Sequence, residues 1–511
     1  MGKRFHGVKR LPPVAGMIGF LARLKSDTGG NVLAIVAACT IPVAAMVGSG
    51  VDISRAYMAK TRLQQACDAG VIAGRKVMTP ANGVDSVVTT EVRKYVNFDF
   101  PQGSMGTTAF AINPTLGAST SVDLTLSTSV PTSIMKILGF TTIPISTSCT
   151  ARQDLVNTDV MLVLDTTLSM NCLPSDDANT YCTSEKTNSK IDALRAGVLQ
   201  LYDTLAPAQA ELKSAGLRLR YAMVPYSVTV NTGGLVYALS TSYIRNPSTY
   251  RVSGGGTTNF THPTSFFTNT NGFCIEERQT VTTINQNSGY TIPSGATDLD
   301  IDTAPTATAS SKWAPYDPAV ETAKTSTPGI NYACPAQSFG FKELADHAAM
   351  NTEMNKLNAG GYTYHDIGLI WAARLMSQTG LWATNNPTSF NSFPVTRHMI
   401  FMTDGAMDPD EAVYSAYGIE QYDHRVNSST NATNQYNSHL QRFRMMCNKI
   451  KSMNVSVWVI AFGTSAGTGL SQDMINCASN PSQAFKADDQ ATLLAKFQQI
   501  AESIGALRLS R

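Results

Sequence analysis

The chain has 511 residues, of which 43% are hydrophobic and 15% are charged. It is too long for one ordinary hydrophobic core, so we expect two or more folded units. The formal net charge of +2, with no basic run beyond the N-terminus, argues against a surface that follows nucleic-acid phosphates. None of the nine cysteines forms a CxxC pair, which argues against a zinc ribbon or a thioredoxin-like site.

An uncharged apolar segment follows the first 30 residues. Residues 32–51 are long enough, at helical rise, to cross the ~30 Å hydrocarbon core of a bilayer. The segment is longer than the apolar part of a signal peptide and has no A-x-A-like exit, which favours a retained anchor over a cleaved signal. Lysine and arginine dominate the preceding residues. We therefore expect a cytoplasmic basic segment at 1–30, a transmembrane helix at 31–51 and export of the remainder.

Two further segments precede the main domain. Residues 52–80 carry alanine, leucine and glycine at spacings of three and four, which predicts a stalk helix. That pattern fits both a plain continuation of the membrane helix and a packing surface for a similar helix of a partner. Residues 81–155 are rich in Thr, Ser and Val, and polar and apolar residues alternate within them, which predicts a small β-rich module.

From residue 156 to residue 511, short apolar strands alternate with helical patterns. The predicted strands are Val160–Leu164, Leu217–Val224, His398–Met402 and Val455–Phe462, and the predicted helices are Ser189–Leu205, Ile367–Met376, Leu440–Lys451 and Ala491–Leu507. This alternation predicts an α/β fold with a doubly wound, mostly parallel sheet. It is interrupted at about 231–340, which we interpret as a long insertion with structure of its own, held by Cys274 and Cys334.

Polar oxygen ligands stand at the predicted ends of two strands and before one helix. They are Asp165, Thr167 and Ser169 after the first strand, Thr363 before the helix near residue 365, and Asp404 after the strand 398–402. In an open parallel sheet, ligands gather beyond the carboxyl ends of the strands. Two carboxylates and three hydroxyls suit Mg²⁺ or Mn²⁺, with water or a partner's carboxylate completing the octahedron. Each aspartate alone could instead be a helix cap.

These residues resemble a known metal site. Asp165-x-Thr167-x-Ser169 is similar to the D-x-S-x-S motif of the metal-ion-dependent adhesion site (MIDAS) of von Willebrand factor A (VWA) domains, with threonine at the first hydroxyl position. Thr363 resembles the central threonine of that family, and Asp404 resembles its second aspartate. The resemblance implies a VWA, Rossmann-like domain at 156–511 that binds protein partners through a divalent cation.

A second resemblance covers most of the chain outside the insertion. Gly30–Gly74, including the sequence Leu-Gln-Gln-Ala-Cys-Asp at 63–68, is similar to the N-terminal segment of TadE/TadG-like pilus-assembly proteins. The chain as a whole resembles the TadG family of the tight-adherence (Tad, Flp) pilus system. This implies a single-pass protein of the bacterial inner membrane with its bulk in the periplasm. Its implied partners are other pilus-assembly components or pilin-like subunits. Residue 35, five positions after Gly30, is isoleucine where processed TadE-type pilins have glutamate, which argues against processing by prepilin peptidase.

Two other functions compete with this interpretation. A phosphatase of the haloacid-dehalogenase type would use Asp165 as nucleophile, but it needs a second aspartate at position 167, where Thr167 stands. His365 and His424 could serve acid–base chemistry, yet neither is paired with a visible serine, and the chain has no P-loop or GxSxG motif. A surface-exposed adhesin would use the same metal site on host ligands. We expect binding rather than catalysis.

Eight cysteines lie outside the apolar segment, and an even number fits an oxidising compartment. By proximity along the chain, Cys172 could pair with Cys182, and Cys447 with Cys477. Eight cysteines allow many connectivities, so the sequence alone does not choose among them.

Overall fold

The computed structural model describes residues 31–78, 83–117, 121–153, 156–176, 180, 182–323, 334–429, 431–463, 470–505 and 509–510. The chain divides into two compact units. Unit 1 comprises Met1–Asp154 with Arg508–Arg511, and unit 2 comprises Leu155–Leu507. The basic segment predicted at 1–30 lies outside the described residues.

Unit 1 is built around one long helix. Its elements are α1 (Asn31–Val77), α2 (Ser86–Asp99), β1 (Thr115–Leu116), β2 (Val122–Pro131) and β3 (Thr142–Gln153). The stretches predicted as transmembrane helix and stalk are parts of the continuous helix α1. Within the described residues, α1 from Ile35 onward is the one helix that is long and apolar enough to cross a membrane. Exposed apolar side chains, among them Ile41, Met46 and Val47, line its first part.

The small residues in the second half of α1 form a packing surface for α2. A Cβ atom on Gly70 would lie only 2.5 Å from Val96 Cγ2, and one on Gly74 would collide with Val92. Glycine at these two positions therefore permits the close approach of the helices. The surface that could have received a partner's helix is occupied by a helix of the same chain.

The strand pattern assigned to residues 81–155 is wrong at its beginning, because residues 86–99 form α2. Asp85 caps this helix, since its Oδ1 accepts the N–H groups of Val87 and Val88 at 2.9 and 3.0 Å. Buried valines recur every fourth residue, at Val88, Val92 and Val96. An N-cap aspartate and a period of four are helix signals, and here they outweigh the β-propensity of valine and threonine.

The sheet of unit 1 is antiparallel and is tied to α1. β2 pairs with β1 and with β3, and a disulfide joins Cys67 of α1 to Cys149 of β3. A short C-terminal strand, Leu509–Ser510, pairs with β3 at Arg152 and Gln153. The prediction that 156–511 is one domain is therefore wrong for its last residues. Two-residue strands carry too little pattern to be recognised in a sequence.

Unit 2 is an α/β fold. Its strands are β4 (Asn157–Asp165), β5 (Leu219–Tyr226), β6 (Ser248–Arg251), β7 (Thr257–Phe260), β8 (Ile275–Glu276), β9 (Ala314–Pro315), β10 (Phe339–Lys342), β11 (Ser389–Phe390), β12 (Phe393–Thr403), β13 (Tyr414–Ser415), β14 (Gly418–Ile419), β15 (Val455–Phe462) and β16 (Ala484–Ala487). Its helices are α3 (Lys190–Ser214), α4 (Gly233–Leu239), α5 (Thr264–Phe267), α6 (His347–Met354), α7 (His365–Met376), α8 (Glu420–Asp423), α9 (Ala432–Ser452), α10 (Gln472–Cys477) and α11 (Gln490–Gly505).

The central sheet has the order β10-β5-β4-β12-β15-β16. The five strands from β5 to β16 run parallel, whereas β10 is antiparallel to β5 and β11 is antiparallel to β12. One face packs against α7 and α9, and the other face packs against α3 and α11. The predicted doubly wound α/β architecture is confirmed. The strand order reverses at β4, so a crevice opens beyond the carboxyl ends of β4 and β12.

The insertion has structure of its own. It contains α4, α5, the antiparallel pair β6–β7 and the antiparallel pair β8–β9. The predicted link between Cys274 and Cys334 is a disulfide. The two pairs suggested by proximity, Cys172–Cys182 and Cys447–Cys477, are also disulfides.

Candidate metal centre

The carboxyl ends of two neighbouring strands bring four of the five predicted ligands together. Asp165 is the last residue of β4, and Asp404 directly follows β12. These strands pair in parallel up to Leu164 and Met402, so both aspartates leave the sheet at the same edge. Thr167 and Ser169 lie in the turn that follows Asp165.

The oxygens of these four residues form a connected set. Thr167 Oγ1 lies 3.1 Å from Ser169 Oγ, and Ser169 Oγ donates to Asp404 Oδ1 at 2.9 Å. The backbone N–H of Thr167 donates to Asp165 Oδ1 at 2.9 Å. Asp165, Thr167 and Asp404 are buried, whereas Ser169 is half-buried. Ser169 is therefore the member of the set that is most open to solvent.

The fifth predicted ligand, Thr363, lies on a loop that is bonded to this turn. Leu168 N–H donates to Gly361 O at 3.0 Å, and Gly360 N–H donates to Thr166 O at 2.9 Å. Thr363 is buried and its carbonyl accepts the N–H of Asp408 at 2.9 Å. The structure brings Thr363 to the same edge of the sheet. The bonds of its loop reach Thr166 and Leu168, which are the chain neighbours of the predicted ligands in the turn.

A buried lysine, which sequence reasoning missed, completes the cluster. Lys190 Nζ donates to Asp404 Oδ2 at 2.9 Å. Lys190 begins α3, directly after the N-cap Ser189. A lysine at the first position of a helix is ordinarily a solvent-exposed residue, so the sequence carries no signal for this role. The helix turns it inward, next to the crevice.

Three further side chains hold Asp165 in place. Thr403 Oγ1 donates to Asp165 Oδ2 at 2.7 Å, and the hydroxyl of Tyr226 donates to the same oxygen at 3.4 Å. His365 Nε2 lies 2.9 Å from Thr403 Oγ1. Burial lowers the pKa of His365 to about 3, so its imidazole is neutral near pH 7 and serves as a hydrogen-bonding support. His424, the other histidine considered for acid–base chemistry, follows α8 as its C-cap in a left-handed conformation with φ of 46°.

The electrostatics of the site favour a bound cation. Burial, with a further contribution from the nearby Asp404 carboxylate, raises the pKa of Asp165 to about 7. When both carboxylates are ionised, Asp165, Asp404 and the ammonium of Lys190 together carry one formal negative charge in a buried place. A cation would offset that charge. The donor atoms are all oxygens, which fit a hard divalent ion such as Mg²⁺ or Mn²⁺.

A second group of possible ligands has another explanation. Cys172, Asp176 and Cys182 lie close enough together to hold a metal ion. Because Cys172 and Cys182 form a disulfide, their sulfur atoms are not available as thiolate ligands. We therefore assign this group to the disulfide.

Comparison with solved structures returns several pilus proteins, all at low identity and low TM-score. The pilus adhesin SpaC from Lactobacillus rhamnosus GG is 12% identical with a TM-score of 0.33, and the match covers 78% of this chain and 34% of SpaC. The vWF domain of the type V pili tip protein Mfa5 from Porphyromonas gingivalis is 12% identical with a TM-score of 0.31, covering 68% of this chain and 95% of that one. Proximal thread matrix protein 1 from the mussel byssus, with a zinc-occupied MIDAS motif, is 12% identical with a TM-score of 0.29, covering 71% and 50%.

The chain thus spans about a third of the length of SpaC and half of the mussel protein. A search of curated proteins gives no match. The fold assignment of unit 2 rests on its own strand order. Residues 30–81 match the Tad family model, described as Flp pilus-assembly TadE/G-like. The recognition made from the sequence is confirmed for this segment: residues 30–81 of the chain are TadE/G-like.

Proposed function

We propose that the protein is a membrane-anchored component of a Tad-type pilus-assembly system, and that unit 2 holds protein partners through a divalent cation. The observation that carries this proposal is the convergence of oxygens from Thr167, Ser169 and Asp404 beside Asp165. They meet at the crevice where the strand order reverses, which is where open α/β sheets bind ligands. The TadE/G-like match of residues 30–81 supports the link to pilus assembly.

Asp165, Thr167, Ser169, Thr363 and Asp404 would hold Mg²⁺ or Mn²⁺. The ion, when bound, supplies an electrophilic position at which a partner's carboxylate can replace water. Asp165 is fixed for this task by three donors, the backbone N–H of Thr167 and the hydroxyls of Thr403 and Tyr226. The half-buried Ser169 lies where a partner can approach.

Lys190 has a distinct part in this proposal. Its ammonium neutralises much of the charge of Asp404, so the ligand set carries little net negative charge. Because such a ligand set neutralises little of the charge of a divalent ion, the ion attracts an external carboxylate more strongly. Lys190 would thereby favour an acidic partner without being a ligand itself.

We further propose binding rather than catalysis. Asp165 is buried and held by Thr403 and the N–H of Thr167. The position that would carry the acid–base aspartate of a phosphatase is occupied by Thr167. The neutral, buried His365 is hydrogen-bonded to Thr403, which in turn is hydrogen-bonded to Asp165. His365 therefore supports Asp165 through Thr403.

We place the anchor in the bacterial inner membrane, with the N-terminus in the cytoplasm and unit 2 in the periplasm. The basic residues of 1–30 support this orientation, and four disulfides in the described residues support an oxidising compartment. A reporter that is active only in the periplasm, fused after Arg511, should be active. Activity of a strictly cytoplasmic reporter at the same point would overturn the orientation.

The binding proposal is tested on the tagged full-length chain in the bacterium. Asp165→Ala should reduce both the proteins retained with the chain after mild solubilisation and the number of pili, and a chelator should have the same effect on retention. The matched control is Asp488→Ala, because Asp488 is 62% exposed and pairs with Lys486 at the surface. Normal pili and chelator-independent retention with folded Asp165→Ala protein would overturn the proposal.

A further inference from the structure

Unit 1 exposes a short apolar loop between β2 and β3. This apolar loop comprises residues 133–140, with the sequence Ser-Ile-Met-Lys-Ile-Leu-Gly-Phe. Ile137 is 79% exposed, Phe140 60%, Leu138 50% and Ile134 37%. Single exposed hydrophobic residues are normal on protein surfaces, but four within eight residues form a contiguous patch, which marks an interaction surface.

The apolar loop is held in one conformation. Met135–Leu138 form a single turn of 3₁₀ helix, and Gly139 follows it with φ of 90°, a conformation that favours glycine. The N–H of Phe140 donates to Met135 O at 3.1 Å, and the N–H of Thr132 donates to Thr141 O at 3.1 Å. The loop is therefore closed at its base, and its apolar side chains are held outward.

Hydrogen bonds to α1 fix the position of this loop along the helix. The carboxylate of Asp52 accepts the N–H groups of Ser133, Ile134 and Met135, each at 2.8 Å. Asp52 itself is buried by this contact. Ile134 packs directly against Gly48, where any Cβ atom would collide with it.

This position coincides with the end of the predicted membrane span at residue 51. Gly48 precedes Val51 by three residues, so Ile134 lies about 4.5 Å inside the end of the span at helical rise. Amphipathic segments that lie on membranes bury their apolar faces about 5–10 Å into the boundary between headgroups and acyl chains. The apolar loop is thus at the depth of this boundary.

We propose that the apolar loop is a second membrane contact, which inserts into the periplasmic leaflet of the bilayer that α1 crosses. This inference rests on the proposed membrane anchor. Lipid is the occupant because the patch is continuous with exposed apolar residues of α1, including Met46 at 68% and Val47 at 66% exposure. Lys136, the one charged residue of the loop, is exposed and can reach the headgroup phosphates.

A second contact has a mechanical consequence for unit 1. One helix alone can tilt and rotate within a bilayer. A rigid loop held beside it by Asp52 adds a contact off the helix axis. The inserted loop therefore limits the tilt and rotation of α1, and with them the orientation of unit 1 relative to the membrane.

The test uses tryptophan fluorescence of the full-length chain in phospholipid vesicles whose lipids are brominated at shallow acyl positions. Bromine quenches only nearby tryptophans, and the native ones, Trp313, Trp371, Trp382 and Trp458, all belong to unit 2. Ile137→Trp places a reporter on the loop, and Val43→Trp places one within the span. Phe98→Trp is the matched control, because Phe98 is 81% exposed in the same unit.

The control reporter lies far from the bilayer along α1. Phe98 is two residues past Val96, which packs against Gly70, and Gly70 lies about 28 Å beyond Val51 at helical rise. We expect brominated lipid to remove most of the added emission of Ile137→Trp and Val43→Trp, and none of that of Phe98→Trp. Each substitution is at an exposed side chain, so folding should be preserved.

Two quenching results would contradict the proposal, and they can be told apart. Quenching of Val43→Trp without quenching of Ile137→Trp would overturn the loop contact while leaving the anchor intact, and would assign the patch to a protein surface. If Val43→Trp were also not quenched, the membrane anchor in the proposed function would be wrong, and the inference would fail with it.

Discussion

The ammonium of Lys190 lies 2.9 Å from Asp404 Oδ2, and these side chains are 1% and 0% exposed. The candidate metal centre thus contains a fixed positive charge of its own. A buried ion pair is weak evidence for added stability, but removing one partner leaves the other charge without compensation. This relationship makes the behaviour of the site testable through Lys190 as well as through its acidic residues.

Lys190→Met should destabilise the folded protein less in the presence of a divalent cation than in its absence. Without metal, the variant should lose about 3–5 kcal/mol of unfolding free energy, because Asp404 is left buried without its partner. With Mg²⁺, the gap from the native protein should shrink, because the ion then faces two uncompensated carboxylates and binds the folded state more tightly. Denaturant unfolding at several Mg²⁺ concentrations measures both effects.

The control for this prediction is Lys356→Met, since Lys356 is 54% exposed and its loss should change little. Equal stabilisation of native and Lys190→Met protein by Mg²⁺ would show that the ion does not bind beside Asp404.

The stability of unit 2 should depend on a buried ion pair between Glu277 of the insertion and Arg374 of α7. Glu277 accepts two hydrogen bonds from Arg374, at 2.8 and 3.0 Å, and one from Trp371 Nε1 at 2.6 Å. Glu277→Ala would leave a buried guanidinium unpaired, so we expect a loss of about 3–5 kcal/mol of unfolding free energy. Glu502→Ala on the exposed face of α11 is the control. A loss below ~1 kcal/mol for Glu277→Ala would contradict the contribution assigned to this pair.

Much of unit 2 could be predicted because its signals are local. Apolar strands such as Val455–Phe462 and their alternation with helices indicate the doubly wound sheet without any knowledge of contacts. The same holds for Asp165 and Asp404, since strand ends are visible in the sequence and the parallel sheet brings them to one edge.

The rest of the site depends on contacts between residues that are distant in the chain. Lys190 and Asp404 are 214 positions apart, and Thr403 and Asp165 are 238 apart. Nothing near Lys190 distinguishes it from a lysine on the solvated face of a helix. Position in the folded molecule gives it a role that local pattern does not encode. The helix α2 escapes the prediction for another reason. Its valines and threonines favour strands, whereas its helix signals are only the Asp85 cap and the four-residue period of valines.

Glu321 should make the stability of unit 2 depend on pH. Burial, with a further contribution from the nearby carboxylates of Glu276 and Asp423, raises its pKa to about 7. The folded state then holds a proton that the unfolded state releases near pH 4.5. The contribution of Glu321 to the free energy of unfolding is therefore fully present below about pH 4.5, and it is lost as the pH rises towards 7.

Replacing Glu321 by glutamine removes the titration. The midpoint of thermal unfolding of Glu321→Gln, relative to the native protein, should rise between pH 4.5 and 7. Glu502→Gln should follow the native protein throughout. A constant difference between Glu321→Gln and native protein across this range would contradict the raised pKa.

The cysteines should be oxidised in a defined pattern. Four disulfides account for eight of the nine cysteines, and Cys39 is the free one. Thiol labelling of the denatured, unreduced chain should therefore mark Cys39 alone, and prior reduction should expose the other eight. Labelling of all cysteines without reduction would contradict both the disulfides and the oxidising compartment.

The central claim is that unit 2 holds a divalent cation at Asp165, and direct metal binding tests it most closely. Mn²⁺ binding to the purified full-length chain, measured by the loss of the electron paramagnetic resonance signal of free Mn²⁺, should show one site that Mg²⁺ competes for. Asp165→Asn should abolish this site, whereas Asp488→Asn should retain it. Equal Mn²⁺ binding by native and Asp165→Asn protein, or no binding by either at millimolar Mn²⁺ while both are folded, would contradict the account.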